Sequence, residues 1–255
     1  MDLTNHSFTR PRLGVVGAGR LGSALVAGLR HAGHEVEGPA GRGQSPRGCH
    51  AVVICVPDAE IASAASALKG SAPLVGHTSG ATPLSVLSAA GAEAFGLHPL
   101  QTFAEGSGAE AFAGAGCAVA GQTPRALQLA SGLARDLGMT PFEIDDEGRA
   151  AYHAAASMAS NFLVTLLAAA ERLAGAAGLE PGEARELLAP LVLRTASEWA
   201  EQGPERALTG PVARGDWETV RAQRAAVQEA APELLTLFDE LVERTRELAG
   251  RGAPA

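Results

Sequence analysis

The chain has 255 residues, of which 46% are hydrophobic and 19% are charged, and its formal net charge at pH 7 is −8. A chain of this length and apolar content can bury one large core or two smaller ones, which argues against disorder as its main state. The negative net charge argues against nucleic acid as a partner, because phosphate binding needs a basic face.

Membrane, secretory and metal-binding classes also find no support in the sequence. The longest apolar stretches, near 51–57 and 162–170, are shorter than the roughly 20 residues that a membrane-spanning helix needs. The first ten residues lack the apolar core of a secretory signal. Cys49, Cys55 and Cys117 are too few for a disulfide framework, and no Cys or His pair has metal-ligand spacing. We therefore expect a cytoplasmic protein without a membrane partner or a bound metal.

The N-terminal half alternates short apolar runs with stretches of helical or small residues. Six runs are typical of buried strands, and a seventh candidate follows them: LGVVGAG, HEVEG, AVVICVPD, APLVGHTSG, AEAFGLHPL, GCAVAG and then PFEI. Helices cover a parallel sheet on both faces, so its strands read as continuous apolar runs. The pattern predicts a doubly wound parallel α/β sheet of the Rossmann type.

The strand signals end at about residue 146. Apolar residues then recur at helical spacing through segments rich in Ala, Leu and Glu, with breaks near Gly178 and Gly203. We therefore predict a Rossmann domain over 1–145 and an all-helical domain over 146–255. The helical domain carries more apolar surface than one sheet edge can cover, so we expect a homodimer formed through it.

The first predicted strand leads into a loop with the GxGxxG pattern. Its residues are Gly17, Ala18, Gly19, Arg20, Leu21 and Gly22. In a strand-to-helix turn of this kind, Gly17 permits the tight turn, Gly19 lets a pyrophosphate approach, and Gly22 lets the helix pack on the strand. The free N–H groups at the helix N-terminus then bind phosphate. A glycine-rich turn without a ligand is the competing interpretation.

The segment after the second strand bears on the choice of dinucleotide. An NAD site places an acidic residue about 20 positions after the glycine loop, and Glu37 lies near that distance. Arg42, Ser45 and Arg47 follow it, and guanidinium and hydroxyl groups suit a 2′-phosphate. If the strand continues to Ala40, Glu37 lies inside it and Arg42 reaches the adenosine ribose. We predict NADP, with NAD as the less favoured alternative.

Several segments together resemble a bacterial family known as DUF2520. They are GAGRLG, ICVPD, HTSGA, LHPLQTF, YHAAASMASNFLV and LTGPVARGD, and the resemblance extends over roughly residues 13–227. It implies a Rossmann-like domain joined to a helical domain like the C-terminal domain of 6-phosphogluconate dehydrogenase. The layout is similar to that of pyrroline-5-carboxylate reductases, hydroxyacid dehydrogenases and ketopantoate reductases. Some members are thought to act as alternative ketopantoate reductases, which implies an oxidoreductase.

Polar residues follow three consecutive predicted strands. Val56 and Pro57 close the third strand, Ser79 follows the fourth, and His98 ends the fifth. Because the carboxyl ends of parallel strands share one sheet edge, these residues are expected to line one crevice. We assign Val56, Pro57 and Ser79 to cofactor binding. Ser79 would also contact substrate and His98 would be catalytic, with a buried structural histidine as the competing interpretation.

The helix predicted over about 146–173 carries a polar ridge on an otherwise apolar surface. The ridge consists of His153, Ser157, Ser160 and Asn161. Its partners are either neighbouring helices or a substrate and a nicotinamide. Hydroxyacid dehydrogenases have a lysine one turn before an asparagine on the equivalent helix. Ser157 precedes Asn161 here, so their general acid is missing.

Reduction of a ketone needs a proton for the developing alkoxide, and a histidine whose pKa is near neutrality suits this role. We take His153 as the first candidate and His98 as the second. Asn161 would orient the carbonyl oxygen, with Ser157 in the same catalytic group and Ser160 contacting substrate.

The loop LTGPVARGD offers an anchor for a substrate carboxylate. Arg214 could clamp a carboxylate through two hydrogen bonds, although a surface arginine or an ion pair with Asp216 is about equally expected. Asp216 is also placed to cap the following helix.

Three functions remain open from the sequence. The first is an NAD(P)H-dependent reductase of a small 2-oxo acid, with ketopantoate as the named candidate. The second is an imine reductase of the pyrroline-5-carboxylate reductase type. The third is a non-catalytic NADP-binding sensor.

Overall fold

A computed structural model describes residues 10–251. The chain divides into two compact units, the first ending at Ser160 and the second beginning at Asn161. The first unit contains the sheet. It also contains the helix that follows the sheet, which the sequence had assigned to the second domain by a boundary at 145/146.

The first unit is built on one seven-stranded sheet. Its strands are β1 (Leu13–Val16), β2 (Val36–Ala40), β3 (Ala51–Ile54), β4 (Leu74–His77), β5 (Glu93–Leu100), β6 (Gly116–Gly121) and β7 (Thr140–Glu143). The strand order is β2-β1-β3-β4-β5-β6-β7, and the five strands β1 to β5 are parallel. The predicted Rossmann-type sheet is confirmed, and all seven predicted runs form strands.

The sheet is not wholly parallel, because β6 runs antiparallel to β5 and β7 runs parallel to β6. The connection from β5 to β6 holds a short 3₁₀ turn, Ala109–Phe112. It lacks the α-helix that usually carries a chain back to start a parallel neighbour.

Ten α-helices accompany the sheet in the described residues. The first unit contains α1 (Arg20–His31), α2 (Ile61–Ala67), α3 (Pro124–Asp136) and α4 (Arg149–Ala159). The second contains α5 (Asn161–Ala176), α6 (Pro181–Gln202), α7 (Pro204–Ala207), α8 (Pro211–Arg214), α9 (Trp217–Ala230) and α10 (Leu235–Arg251). The predicted all-helical C-terminal part is confirmed.

Buried side chains cover both faces of the sheet. On one face, Leu25 of α1 and Leu133 of α3 pack with Phe95 of β5. On the other, Ile61 of α2 packs with Ile54 of β3. Burial on both faces explains why the strands are apolar at consecutive positions, since a strand with one wet face would alternate.

The helical run from Arg149 to Ala176 differs from the single helix that the sequence predicted. Ser160, with φ −122° and ψ −78°, separates α4 from α5. By length and composition alone the run could cross a membrane, with a window of mean hydropathy 1.3. Helices that form an interface between subunits have the same composition, so the expected absence of a membrane partner stays a prediction.

Candidate active site

The glycine loop has the geometry of a strand-to-helix turn with an open side. Gly17 has φ +108°, and a Cβ there would lie 2.2 Å from the carbonyl oxygen of Cys55. A Cβ on Gly22 would lie 1.9 Å from the carbonyl oxygen of Gly17. A Cβ on Gly19 would meet no atom within 4 Å. Two glycines are therefore needed by the fold, whereas the third faces free space at the start of α1.

A groove of about 920 Å³ lies over this loop. It is lined by Val16, Gly17, Ala18, Gly19, Ala40, Gly41, Arg42, Gly43, Gln44, Ser45, Cys55, Val56, Pro57, Glu60, Ser63, Ala64, Ala67 and Leu68. The lining includes six of the residues that the sequence assigned to cofactor binding: Gly17, Ala18, Gly19, Arg42, Val56 and Pro57. Arg20, Leu21 and Gly22 begin α1 behind it, and Ser79 is buried after β4.

The side chain of Glu37 is engaged by other groups. It lies inside β2, where its two carboxylate oxygens accept hydrogen bonds from the Arg12 guanidinium (3.2 Å) and the Arg47 backbone N–H (3.3 Å). Arg42, in contrast, is 89% exposed and pairs with Glu60 across the mouth of the groove. An exposed pair of this kind contributes little stability, so the Arg42 guanidinium is available to an anionic ligand.

His98 lies in the carboxyl half of β5, where Tyr152 and Gly80 hold its ring in place. Its Nδ1 shares a 2.6 Å hydrogen bond with the hydroxyl of Tyr152 on α4, and the two rings meet edge to face. A Cβ on Gly80 would lie only 2.9–3.1 Å from three atoms of the imidazole. The glycine of the HTSG segment therefore leaves room for the His98 ring.

Of the predicted polar ridge, His153 lies beside His98, whereas Asn161 belongs to the next helix. The ring of His153 is exposed and its centroid is 6.5 Å from that of His98, so the two candidate proton donors are neighbours. Ser157 and Ser160 are half-buried at the end of α4. Asn161 begins α5 in the second unit, and its role as the group that orients the carbonyl stays a prediction.

Arg214 also belongs to the second unit, where it is exposed and ends the short helix α8. The described residues show no ion pair between Arg214 and Asp216. Asp216 caps α9 as predicted, accepting a hydrogen bond from the Thr219 N–H at 3.1 Å. Carboxylate binding by Arg214 stays a prediction.

Burial keeps two histidines neutral at the sheet edge. It lowers the pKa of His98 to about 4, with a further contribution from the neighbouring His153. It lowers the pKa of His77 to about 4 as well, and the charge of Arg149 adds to this effect. His98 therefore does not meet the expectation of a histidine that titrates near pH 7, and at that pH it can donate only from a neutral ring.

Two further residues, Tyr152 and Arg149, act on His98 and were not singled out from the sequence. Tyr152 is the only tyrosine in the chain, and burial raises its pKa to about 12. Arg149 is 4% exposed, and its Nε donates to Asp146 at 2.6 Å. Its buried Nη2 has no hydrogen-bond partner in the part of the chain that the structure describes. The sequence could have indicated both residues, because Tyr152 lies next to the candidate His153 and Arg149 lies one helical turn before them.

Comparisons with known proteins identify a family and a fold. A family described as a domain of unknown function (DUF2520) matches residues 115–245, which is more than half of the chain. No curated protein matches the chain significantly.

Three solved structures illustrate the fold. A protein from Bacteroides fragilis described as a candidate NADP oxidoreductase is 20% identical, covering 94% of this chain and 99% of its own, with a TM-score of 0.78. A Thermotoga maritima protein whose name states no function is 27% identical, covering 94% and 98%, with a TM-score of 0.76. Pyrroline carboxylate reductase of Plasmodium falciparum, with NADP bound, is 14% identical, covering 96% and 99%, with a TM-score of 0.60.

Proposed function

This chain belongs to the DUF2520 family, and we propose that it is an NADPH-dependent oxidoreductase. The main support is the groove over the glycine loop, which lies at the same sheet edge as the neutral histidines His77 and His98 and the hydroxyl of Tyr152. The three cysteines are free thiols, as is usual in reducing compartments, and we keep the cytoplasm as the proposed location.

The residues of the groove fit NADP better than NAD. The open side of Gly19 and the free N–H groups at the start of α1 suit a pyrophosphate. Arg42 and Ser45 line the groove beyond the end of β2, where they can bind a 2′-phosphate. Glu37, the alternative ligand for a ribose hydroxyl, is engaged with Arg12. The nicotinamide supplies a hydride when the cofactor is bound.

We expect Arg42→Ala to weaken NADPH binding by roughly tenfold and to leave NADH binding within about twofold, because a charge-assisted phosphate contact is lost. Isothermal titration with both cofactors measures this. Arg125→Ala is the matched control, since Arg125 is also exposed and paired with a glutamate, Glu93, but does not line the groove. Equal losses for NADPH and NADH would contradict the assignment of Arg42 to the 2′-phosphate.

The proposed reaction is reduction of a small 2-oxo acid, with ketopantoate as the first candidate. The substrate class comes from the resemblance of this family to ketopantoate reductases. The site supports it with the N–H groups of His98 and His153, which can meet the negative charge that develops on a carbonyl oxygen, and with the Tyr152 hydroxyl hydrogen-bonded to His98.

Imine reduction is the second candidate. Pyrroline carboxylate reductase shares the fold over almost the whole chain. The low pKa of His98 also favours it, because a neutral site provides no strong acid and an imine can arrive already protonated.

The two reactions are separated by offering ketopantoate and 1-pyrroline-5-carboxylate, each with NADPH, to the purified protein. Oxidation of NADPH with ketopantoate alone supports the first candidate, and oxidation with the imine alone supports the second. If NADPH binds tightly and neither these nor related oxo acids and imines are reduced, the sensor hypothesis replaces both.

We also propose a homodimer formed through the second unit. Large apolar side chains are exposed on α5 and α6: Phe162, Val164, Leu187, Leu191, Leu193 and Trp199. Soluble monomers rarely leave so many large apolar side chains exposed. In a two-fold symmetric dimer, each copy of the chain would cover these side chains on the other.

We expect light scattering to give a dimer mass, and Leu191→Glu to shift it toward the monomer, because a buried unpaired charge destabilises an interface. Arg221→Glu on α9 is the control for a charge change at an exposed residue. A monomeric wild-type protein would contradict the dimer. Sedimentation of the wild-type protein with phospholipid vesicles would show that the apolar run binds membrane instead.

A further inference from the structure

We propose that Tyr152 and His98 form a proton relay that supplies the product proton, with Tyr152 donating to Nδ1 of His98 and Nε2–H of His98 donating to the substrate oxygen. The relay deepens the proposed function and rests on it, since the proton is needed only if a carbonyl is reduced.

The geometry of the pair suits proton transfer. The donor and acceptor atoms are 2.6 Å apart, shorter than most neutral hydrogen bonds. The rings are held edge to face with centroids 5.4 Å apart. Gly80 packs against the face of the His98 ring, and Phe142 packs against Tyr152 with a centroid distance of 5.8 Å. Both partners are therefore fixed by their neighbours, which removes the need to reorganise before each transfer.

The pair also lies at the edge where a substrate would meet the cofactor. His77 ends β4 and pairs in register with Gly96 of β5, so His98 lies beyond the end of β4. The glycine loop and the Val56–Pro57 turn follow β1 and β3 at the same edge. Ligands of doubly wound sheets bind at this edge.

Burial, more than the surrounding charges, keeps both members of the pair neutral near pH 7. His98 is faced by Arg149, His153 and His77, which lower its pKa, and by Asp58, which raises it, but burial dominates. Burial also raises the pKa of Tyr152, with Cys117 adding to the rise and Arg149 opposing it. Nδ1 is the His98 ring atom with a hydrogen-bond partner in the described part of the chain, so Nε2 is left for a ligand.

The proton balance closes without a metal or a second cofactor. When the substrate carbon is reduced, the C=O electron pair moves to oxygen, which takes the proton from Nε2, and the N–H electron pair stays on the ring. Nδ1 takes the proton of Tyr152, which leaves a phenolate that the nearby charge of Arg149 stabilises. The phenolate recovers its proton from Nδ1, and Nε2 regains one from water, so the solvent is the net source.

The ground state of the relay can be tested without a substrate, by nuclear magnetic resonance of the full chain containing isotope-labelled histidine. We expect His98 to stay neutral between about pH 5.5 and 8, with its proton on Nε2. In Tyr152→Phe the Nδ1 resonance should shift as the hydrogen bond is lost, while the signal of the exposed His31 in the same spectrum stays in place. A proton on Nδ1 in the wild-type protein, or an unchanged Nδ1 signal in the variant, overturns the relay.

Kinetics provide the second test. With a substrate that the wild-type protein reduces, Tyr152→Phe should lower kcat by roughly 100-fold, as expected for loss of general acid catalysis, and leave the NADPH Kd nearly unchanged. The melting temperature should fall by only a few degrees, because His98 Nδ1 loses its hydrogen-bond partner while the packing is kept. The variant loses one oxygen atom and keeps the packing on Phe142. An unchanged kcat overturns the relay. Failure of the wild-type protein to reduce any substrate counts against the proposed function, and the resonance experiment still decides whether the hydrogen-bonded pair exists.

Discussion

Gly19→Asp is expected to lower the affinity for NADPH by at least about 100-fold without destabilising the fold. Gly19 is the N-cap of α1, with φ −74°, and open space surrounds the position of its missing Cβ. Aspartate is among the best N-cap residues and its charge favours the positive end of the helix. The carboxylate therefore occupies the position proposed for the pyrophosphate and repels it.

The matched control is Ala27→Asp, which places the same charge on an exposed position of the same helix, two turns further on. Titration calorimetry with NADPH and chemical denaturation are measured on both variants. We expect the control to bind NADPH as the wild-type protein does. If Gly19→Asp binds NADPH normally, the glycine loop does not hold the cofactor.

Acidification is expected to destabilise the chain before most carboxylates are protonated. An unfolded histidine has a pKa near 6.5, whereas burial lowers the pKa of both His77 and His98 to about 4. Between these values the unfolded chain binds more protons, so the stability present above about pH 6.5 falls as the pH drops toward 4. Between about pH 6.5 and 5, His77 should contribute a loss of about 2 kcal/mol, and the less buried His98 a smaller one.

Urea denaturation at about pH 7 and pH 5 tests this with His77→Asn. Asparagine keeps an acceptor for the Ser79 N–H, which His77 Nδ1 binds at 3.2 Å, but it does not titrate. The variant should be less stable than the wild-type protein at pH 7, because a buried ring is lost, yet it should lose less stability on acidification. If both proteins lose the same amount, His77 is not neutral in the folded chain.

The sequence predicts the strands and helices well because their signals are local. A strand buried on both faces must be apolar at each position, as in Ala51–Ile54, and no partner needs to be known. The direction of β6 has no such signal. GCAVAG is equally compatible with a parallel or an antiparallel neighbour, and its direction depends on the connection that precedes it.

The candidate site is less predictable because its contacts join distant parts of the chain. His98 and Tyr152 are 54 positions apart, and nothing near either residue specifies the other. The lowered pKa of His98 could not be predicted for the same reason, because the burial that lowers it comes from packing around β5 and α4. Arg149 lies in the first turn of the helix predicted from about residue 146, where an arginine is normally exposed, and only the fold reveals that it is buried.

The proposed enzyme transfers a hydride from NADPH to its substrate, and an isotope label on the cofactor follows that transfer. The purified protein is incubated with NADPH deuterated at the transferable position of the nicotinamide, together with ketopantoate or 1-pyrroline-5-carboxylate. We expect a reduced product that carries one deuterium at the former C=O or C=N carbon, and no deuterated product with Gly19→Asp. A protein that binds NADPH but transfers deuterium to neither these nor related oxo acids and imines would contradict the proposed hydride transfer.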